Sequence, residues 1–319
     1  MHRRLRIPIR RFLPLLLPAL LAAGAAAAGS DEQVTRGLKA YLRGDFAAAG
    51  DSWKGPAEAG DARGQFGLAV LYATGRGMEQ APGRALALYR KAAEQGHPTA
   101  AFRVAQAYAE GKGTAPNRDK AERWYRKAAA AGHASAYTVL GIRYREGVPG
   151  DTGKTLAFYR EGADAGYADA EYNLANFYAQ GRGVKPDPDR ARRFYRKAAE
   201  QGHPKAALRL GGMYEDGDGV QRDYAKAAQW YRRAADRGSA AAQLSLARLY
   251  DRGKGVETDK VAAYRWYRLA ATQSGVFKET ARRAVKRLGR ILSDSDRDQA
   301  DAWVKDWQAE GIWTRHFGE

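Results

Sequence analysis

The side chains able to do chemistry in this 319-residue chain are few, and their spacing works against a catalytic or metal centre. There are five histidines and no cysteine. Without cysteine the chain has no disulfide, thiolate metal site, thiol nucleophile or lipoprotein-type lipid anchor. His97, His133 and His203 occupy one position, directly after a glycine, in segments that repeat along the chain. Layers of packed helices stand roughly 10 Å apart, whereas zinc ligands lie about 2 Å from the ion. Equivalent histidines in different layers therefore cannot share a metal, and they read as turn and helix-start residues.

Other local signals fall short in the same way. Gly-x-Gly pairs such as Gly181-Arg182-Gly183 suggest phosphate loops. They lack the Gly-Lys-Ser/Thr and Gly-x-Gly-x-x-Gly contexts that give such loops their chemistry. Asp216-Gly217-Asp218-Gly219 opens like a calcium loop, but its third oxygen ligand and closing glutamate are missing. No nucleophile signature appears, and no pair of acids is placed to share a pocket. No cofactor and no enzymatic activity are expected, and an enzyme remains only a remote reading.

The pattern that does call for a function is a column of arginines: Arg90, Arg126, Arg160, Arg196, Arg232 and Arg268. Lys91, Lys127, Lys197 and Arg233 follow directly at four of these places. Glu94, Asp164, Glu200 and Asp236 lie four residues after their arginines, so pairing within the helix is the plain alternative. Such pairs contribute only about 0.2–0.5 kcal/mol each. Arg126 and Arg268 face Ala130 and Thr272 at that spacing. The column is the candidate partner-binding feature, because arginine makes bidentate bonds to carboxylate or phosphate.

The column is positioned by a repeat. Glycines recur at 60, 96, 132, 166, 202, 238 and, loosely, 275, at spacings of 34 to 37 residues. A second set, at 75, 111, 147, 181, 217 and 253, follows the first by 15 residues each time. Between them the text reads as paired helices, since glycine at C′ supplies the left-handed backbone that ends a helix. First helices are expected near 46–59, 84–95, 118–131, 154–165, 189–201, 224–237 and 259–273. Second helices are expected near 62–73, 98–109, 134–145, 168–179, 204–215, 240–251 and 276–291.

The first helices carry aromatic pairs such as Trp124-Tyr125 and Phe194-Tyr195, with alanines such as Ala128 and Ala198 three residues on. The second carry an aliphatic residue and a tyrosine four apart, for example Leu174 and Tyr178. Both patterns give an apolar stripe for packing. The third repeat departs from the pattern at Gly147-Val148-Pro149-Gly150 and is two residues shorter, which makes it the candidate for a bend.

Trp124-Tyr125-Arg126-Lys127-Ala128-Ala129, Gln-Gly-His at 95–97 and 201–203, and the tyrosine three residues before Gly-x-Gly carry a family resemblance. The text resembles the Sel1-like repeat, a slightly longer relative of the tetratricopeptide repeat, over roughly 37–275. The resemblance implies an all-α, right-handed solenoid of about seven antiparallel helix pairs that serves protein–protein interaction. It also implies that the first helix of each pair, and with it the arginine column, lines a groove. Helical caps are expected at both ends, because a terminal repeat would otherwise expose its apolar face. The domain reading is 29–45 as an N-terminal capping helix, 46–275 as the repeat array and 276–319 as C-terminal capping helices. Ser293 is expected to cap the last helix, and Ile312, Trp313 and Phe317 to pack over the end.

Residues 1–28 read as a cleaved bacterial signal peptide. Five arginines precede the apolar run Phe12–Ala23, and Ala26-Ala27-Ala28 supplies small residues for cleavage. The run is shorter than the roughly 20 residues a span needs, so no transmembrane segment is expected after cleavage. Removing five arginines and no acid takes the net charge from +18 to +13. The expected protein is a periplasmic or secreted scaffold that binds a protein or peptide, an acidic one being favoured by charge. The alternative is an envelope-associated module that binds an anionic polymer, cell-wall glycan or lipopolysaccharide. No nucleic-acid partner is expected.

Overall fold

The computed structural model describes residues 28–147 and 151–309. The signal-peptide reading of 1–28, the Val148-Pro149-Gly150 departure and the expected packing of Ile312, Trp313 and Phe317 lie wholly or almost wholly outside these residues. The described residues form sixteen helices and no strand. No helix among them is long and apolar enough to cross a membrane.

The chain divides into two compact units, 1–147 and 148–319. The division falls at the repeat whose text departs from the others. In the first unit, α1 (Ala28–Arg43) precedes three pairs: α2 (Phe46–Glu58) with α3 (Ala62–Thr74), α4 (Pro82–Glu94) with α5 (Pro98–Glu110), and α6 (Arg118–Ala130) with α7 (Ser135–Gly147). The second unit contains α8 (Thr152–Asp164) with α9 (Ala168–Gln180), α10 (Pro188–Glu200) with α11 (Pro204–Asp216), and α12 (Tyr224–Asp236) with α13 (Ala240–Arg252). It closes with α14 (Lys260–Thr272), α15 (Lys278–Leu288) and α16 (Asp294–Ala309). Within each unit consecutive helices pack against each other, as in a helical-repeat solenoid.

Helices as short as these, thirteen residues in most pairs, are marginal alone in water. Caps and packing make up the difference. Most first helices start on side-chain caps: the carboxylates of Asp45, Asp187, Asp223 and Asp259 accept bonds from the backbone N–H three residues on, at Ala48, Arg190, Lys226 and Ala262, whereas α4 opens at Pro82 without one. The repeated tyrosines Tyr125, Tyr159, Tyr195 and Tyr231 are buried against alanines such as Ala128, Ala198 and Ala234, which are fully buried. Small residues facing large rings let neighbouring helices close up to interior packing density.

The second glycine of each Gly-x-Gly has a role that its helix-stopping partner does not. Gly77 has φ +70, and a Cβ there would sit 2.5 Å from the Phe46 carbonyl carbon at the start of α2. Gly113 and Gly255 meet backbone atoms at the starts of α4 and α12 in the same manner, while Gly183 and Gly219 meet the side chains of Thr152 and Pro188 at the starts of α8 and α10. The loop therefore closes back onto the first helix of its own pair, and at Gly77, Gly113 and Gly255 the backbone there leaves no room for a side chain.

At the N-terminal end α1 buries Val34, Ala40 and Tyr41. Leu38 and Leu42 of the same helix are only half-buried. Trp53 Nε1 donates to the Val34 carbonyl at 3.2 Å, and Arg63 bridges Asp31 and Asp61 at 2.6 and 2.7 Å. At the other end Trp303 of α16 packs edge-on against Trp266, and Ser293 Oγ accepts from Asp296 N at 3.1 Å, as a cap should. The helix expected over 276–291 is shorter. It begins at Lys278, after a start with no side-chain cap, and ends at Leu288. Val276, Phe277 and Ile291 are left outside it and exposed.

Candidate functional site

A depression of about 520 Å³ opens in the first unit between α3, α4 and α5. Phe66, Val70, Leu86 and Tyr89 give it an apolar floor, and Arg103 and Glu110 of α5 stand at its side. The same place one repeat on holds a second depression, of about 560 Å³, formed by α5, α6 and α7. Ala85 and Tyr89 in the first correspond to Ala121 and Tyr125 in the second. The chemistry differs: Glu122 replaces Leu86, and Arg143 replaces Ala107. The repeat thus supplies one cavity geometry whose lining can be changed layer by layer. The sequence reading missed Arg103, Glu110 and Arg143. Single charges along a second helix look like solvated positions until the neighbouring helix is in place.

The arginine column sits on the first helices, one turn beyond Leu86 and Glu122. Arg90 pairs with Glu94 at 3.7 Å, the intrahelical pairing the spacing allowed. Arg126 does not turn toward Ala130; its Nε bonds Glu122 at 3.2 Å, one turn earlier. The Tyr144 hydroxyl donates to the same Glu122 carboxylate. In the second unit the bonds cross to the next helix. Arg160 bonds the hydroxyl of Tyr178, Arg196 Nη2 donates to that of Tyr214 at 3.1 Å, and Arg232 donates to that of Tyr250. Arg268 is not directed at Thr272: its Nε pairs with Asp301 of α16 at 2.7 Å.

A second cation covers several of these tyrosines from the helix that follows. Arg190 lies 5.5 Å from the ring centre of Tyr178, and Lys226 lies 5.6 Å from that of Tyr214. Burial alone would raise the Tyr178 hydroxyl, but the bonds from Arg190 and Arg160 outweigh it and hold its pKa below the usual range. Cations of two helices therefore tie Tyr178 and Tyr214 between them.

The histidines are structural, as their position implied. Nδ1 of His97 and of His203 accepts the N–H of Ala100 and Ala206, each at 3.1 Å, and so caps α5 and α11. Each ring also stacks on an aromatic of the preceding second helix: His97 on Phe66, His133 on Phe102, His203 on Tyr172. Burial, with Arg103 nearby, pushes His133 down to about 4. The glutamine of Gln-Gly-His is equally occupied. Gln95 Nε2 donates to Gln65 at 2.9 Å and Gln201 Nε2 to Glu171 at 2.7 Å, linking one pair to the next. Among the described residues no three His, Asp or Glu side chains converge as metal ligands.

The Sel1 repeat model matches six successive segments: 62–97, 98–133, 134–167, 168–203, 204–239 and 240–275. Among solved structures, the chain is similar to c5321, a protective antigen present in uropathogenic Escherichia coli strains that displays an SLR fold. The two are 30% identical with a TM-score of 0.60, over 88% of this chain and 62% of that one. The chain thus spans about three fifths of that antigen's length. It is also similar to a Sel1 repeat protein from Oxalobacter formigenes, at 31% identity and a TM-score of 0.58, over 76% of this chain and 98% of that one. No curated protein matches the chain. Six matched repeats across two thirds of the sequence, and a fold of successive helix pairs, place the chain in the Sel1 repeat family, whose members are generally non-catalytic helical scaffolds for protein interaction.

Proposed function

We propose that this chain is an exported, non-enzymatic scaffold that receives a segment of a partner protein in the depressions of its repeat array. The observation that carries the reading is the 520 Å³ depression over Phe66, Val70, Leu86 and Tyr89, with Arg103 at its side. Sites for protein segments combine an apolar anchor pocket with a few placed polar groups, and this one has both. The segment it suits carries one large apolar side chain and neighbouring carboxylates, which Arg103 and the half-exposed Arg90 and Arg126 would meet. Export is supported by the basic, apolar and small-residue order of residues 1–28.

The test is capture from envelope extracts with the full chain, followed by titration of whatever protein is recovered. Ala73→Trp fills the depression from its rim, and Arg103→Glu reverses its charge. A partner that binds saturably to the wild type and at least about tenfold more weakly to both variants, each melting as the parent does, supports the reading. A partner held equally by the wild type and both folded variants overturns the assignment to this depression.

A further inference from the structure

We propose that α15 and its two flanks form a docking site for an anionic phospholipid surface, a role separate from the depressions of the first unit. Three observations in the second unit converge on it. The first is uncommitted charge. Lys278, Arg282, Arg283, Lys286, Arg287 and Arg290 stand in or beside an eleven-residue helix whose only acid is Glu279. Arg282 pairs with Glu279 and Arg287 with Asp251. The side chains of Lys278, Arg283, Lys286 and Arg290 make no ion pair or hydrogen bond among the described residues. This contrasts with the array, where cations are tied to tyrosines.

The second observation is a concavity. A depression of about 410 Å³ between α14 and α15 is lined by four cationic side chains, Arg268, Lys278, Arg282 and Lys286, with Thr272 beside them. The three on α15 are four residues apart, so they share one face. Such a hollow suits the phosphate of a lipid headgroup, which would be met by ammonium and guanidinium groups from two helices.

The third is exposed apolar surface confined to the same element. Val276 is 85% exposed, Phe277 39% and Ile291 63%, and they are the exposed large hydrophobics among the described residues. They bracket α15, whose length is roughly 16 Å at 1.5 Å per residue. A soluble polyanion or an acidic peptide would account for the cations alone. Cations together with protruding apolar side chains at both ends of one helix are what an interfacial helix needs, the charges reaching anionic headgroups and the apolar groups entering the acyl boundary.

The test uses the absence of cysteine, which makes a single label specific. Val276→Cys in the full chain carries an environment-sensitive fluorophore and is mixed with vesicles of phosphatidylcholine, alone or with phosphatidylglycerol. The expected result is a blue-shifted emission with the anionic vesicles only, weakened by salt. Lys278→Gln, Arg282→Gln and Lys286→Gln together, with melting unchanged, should weaken it at least about tenfold. The pair Lys278→Gln and Lys286→Gln, which breaks no ion pair, should weaken it by a smaller factor in the same direction. Both variants keep residues 1–28, so a contribution of that apolar segment is common to all. No emission change with anionic vesicles overturns the proposal, as does a change that survives neutralisation of the three cations. Binding of inorganic polyphosphate or an acidic peptide, with the label at 276 never entering lipid, also overturns it.

Discussion

Replacing Gly77 by alanine tests whether the second glycine of Gly-x-Gly is required by close approach or only by backbone handedness. Gly77 has φ +70, and its added Cβ would lie 2.5 Å from the Phe46 carbonyl carbon and 2.7 Å from the Ala47 nitrogen. These are backbone atoms of the first turn of α2, which cannot swing aside as a side chain could. Gly96, in the same unit, has φ +86 but nothing within 4 Å of its would-be Cβ. The left-handed conformation costs an L-residue about 1–2 kcal/mol. The more restricted unfolded chain returns about 0.4–1 kcal/mol of that. Gly96→Ala should therefore destabilise by only about 1 kcal/mol. Gly77→Ala adds an overpacking cost of about 1–3 kcal/mol and should total about 2–4 kcal/mol. Urea unfolding followed by far-ultraviolet circular dichroism measures both. Unfolding free energies within about 0.5 kcal/mol of each other, the usual limit for a surface change, would refute the close-approach argument and leave handedness as the whole requirement.

Other outcomes follow from single contacts. His133 is pushed down to about 4 by burial, so the folded state prefers it neutral. Its contribution is fully present above the ordinary histidine range and is lost as pH falls from about 6.5 toward 4, by at most about 3 kcal/mol. Melting at pH 7 and pH 4.5 should show this loss in the wild type and a smaller one in His133→Gln. Burial would raise Asp251, but bonds from Lys260 and Arg287 outweigh it and hold its pKa low. Asp251→Asn should therefore loosen the attachment of α14 and α15, costing about 1–3 kcal/mol, readable as faster amide exchange in α15. Intact-mass measurement on the exported protein should give a chain beginning near Gly29, and a species that starts at Met1 would reject the leader reading.

The sequence by itself determined the paired helices of the matched repeats and where they stop, because that information is written within a few residues. A glycine every 34 to 37 positions, with a second 15 later, marks the helix ends, and Gly75, Gly111, Gly181, Gly217 and Gly253 all take positive φ there. The tyrosine–alanine stripes fixed which faces are buried, since helical periodicity is a property of one segment alone. The short third repeat likewise falls where the two units divide. What only the tertiary structure decided is where the polar groups spend their bonds. Arg160 has Asp164 one turn along its own helix, yet it bonds Tyr178, eighteen residues on. Arg126 turns back to Glu122, and Arg268 reaches Asp301 on α16. The Gly77 contact with α2 and the Arg103 side of the depression were equally invisible. A long, flexible cation has several partners of nearly equal energy within reach, and local spacing names only those on its own helix. The choice falls to whichever neighbouring helix, once packed, holds an acceptor at the right distance.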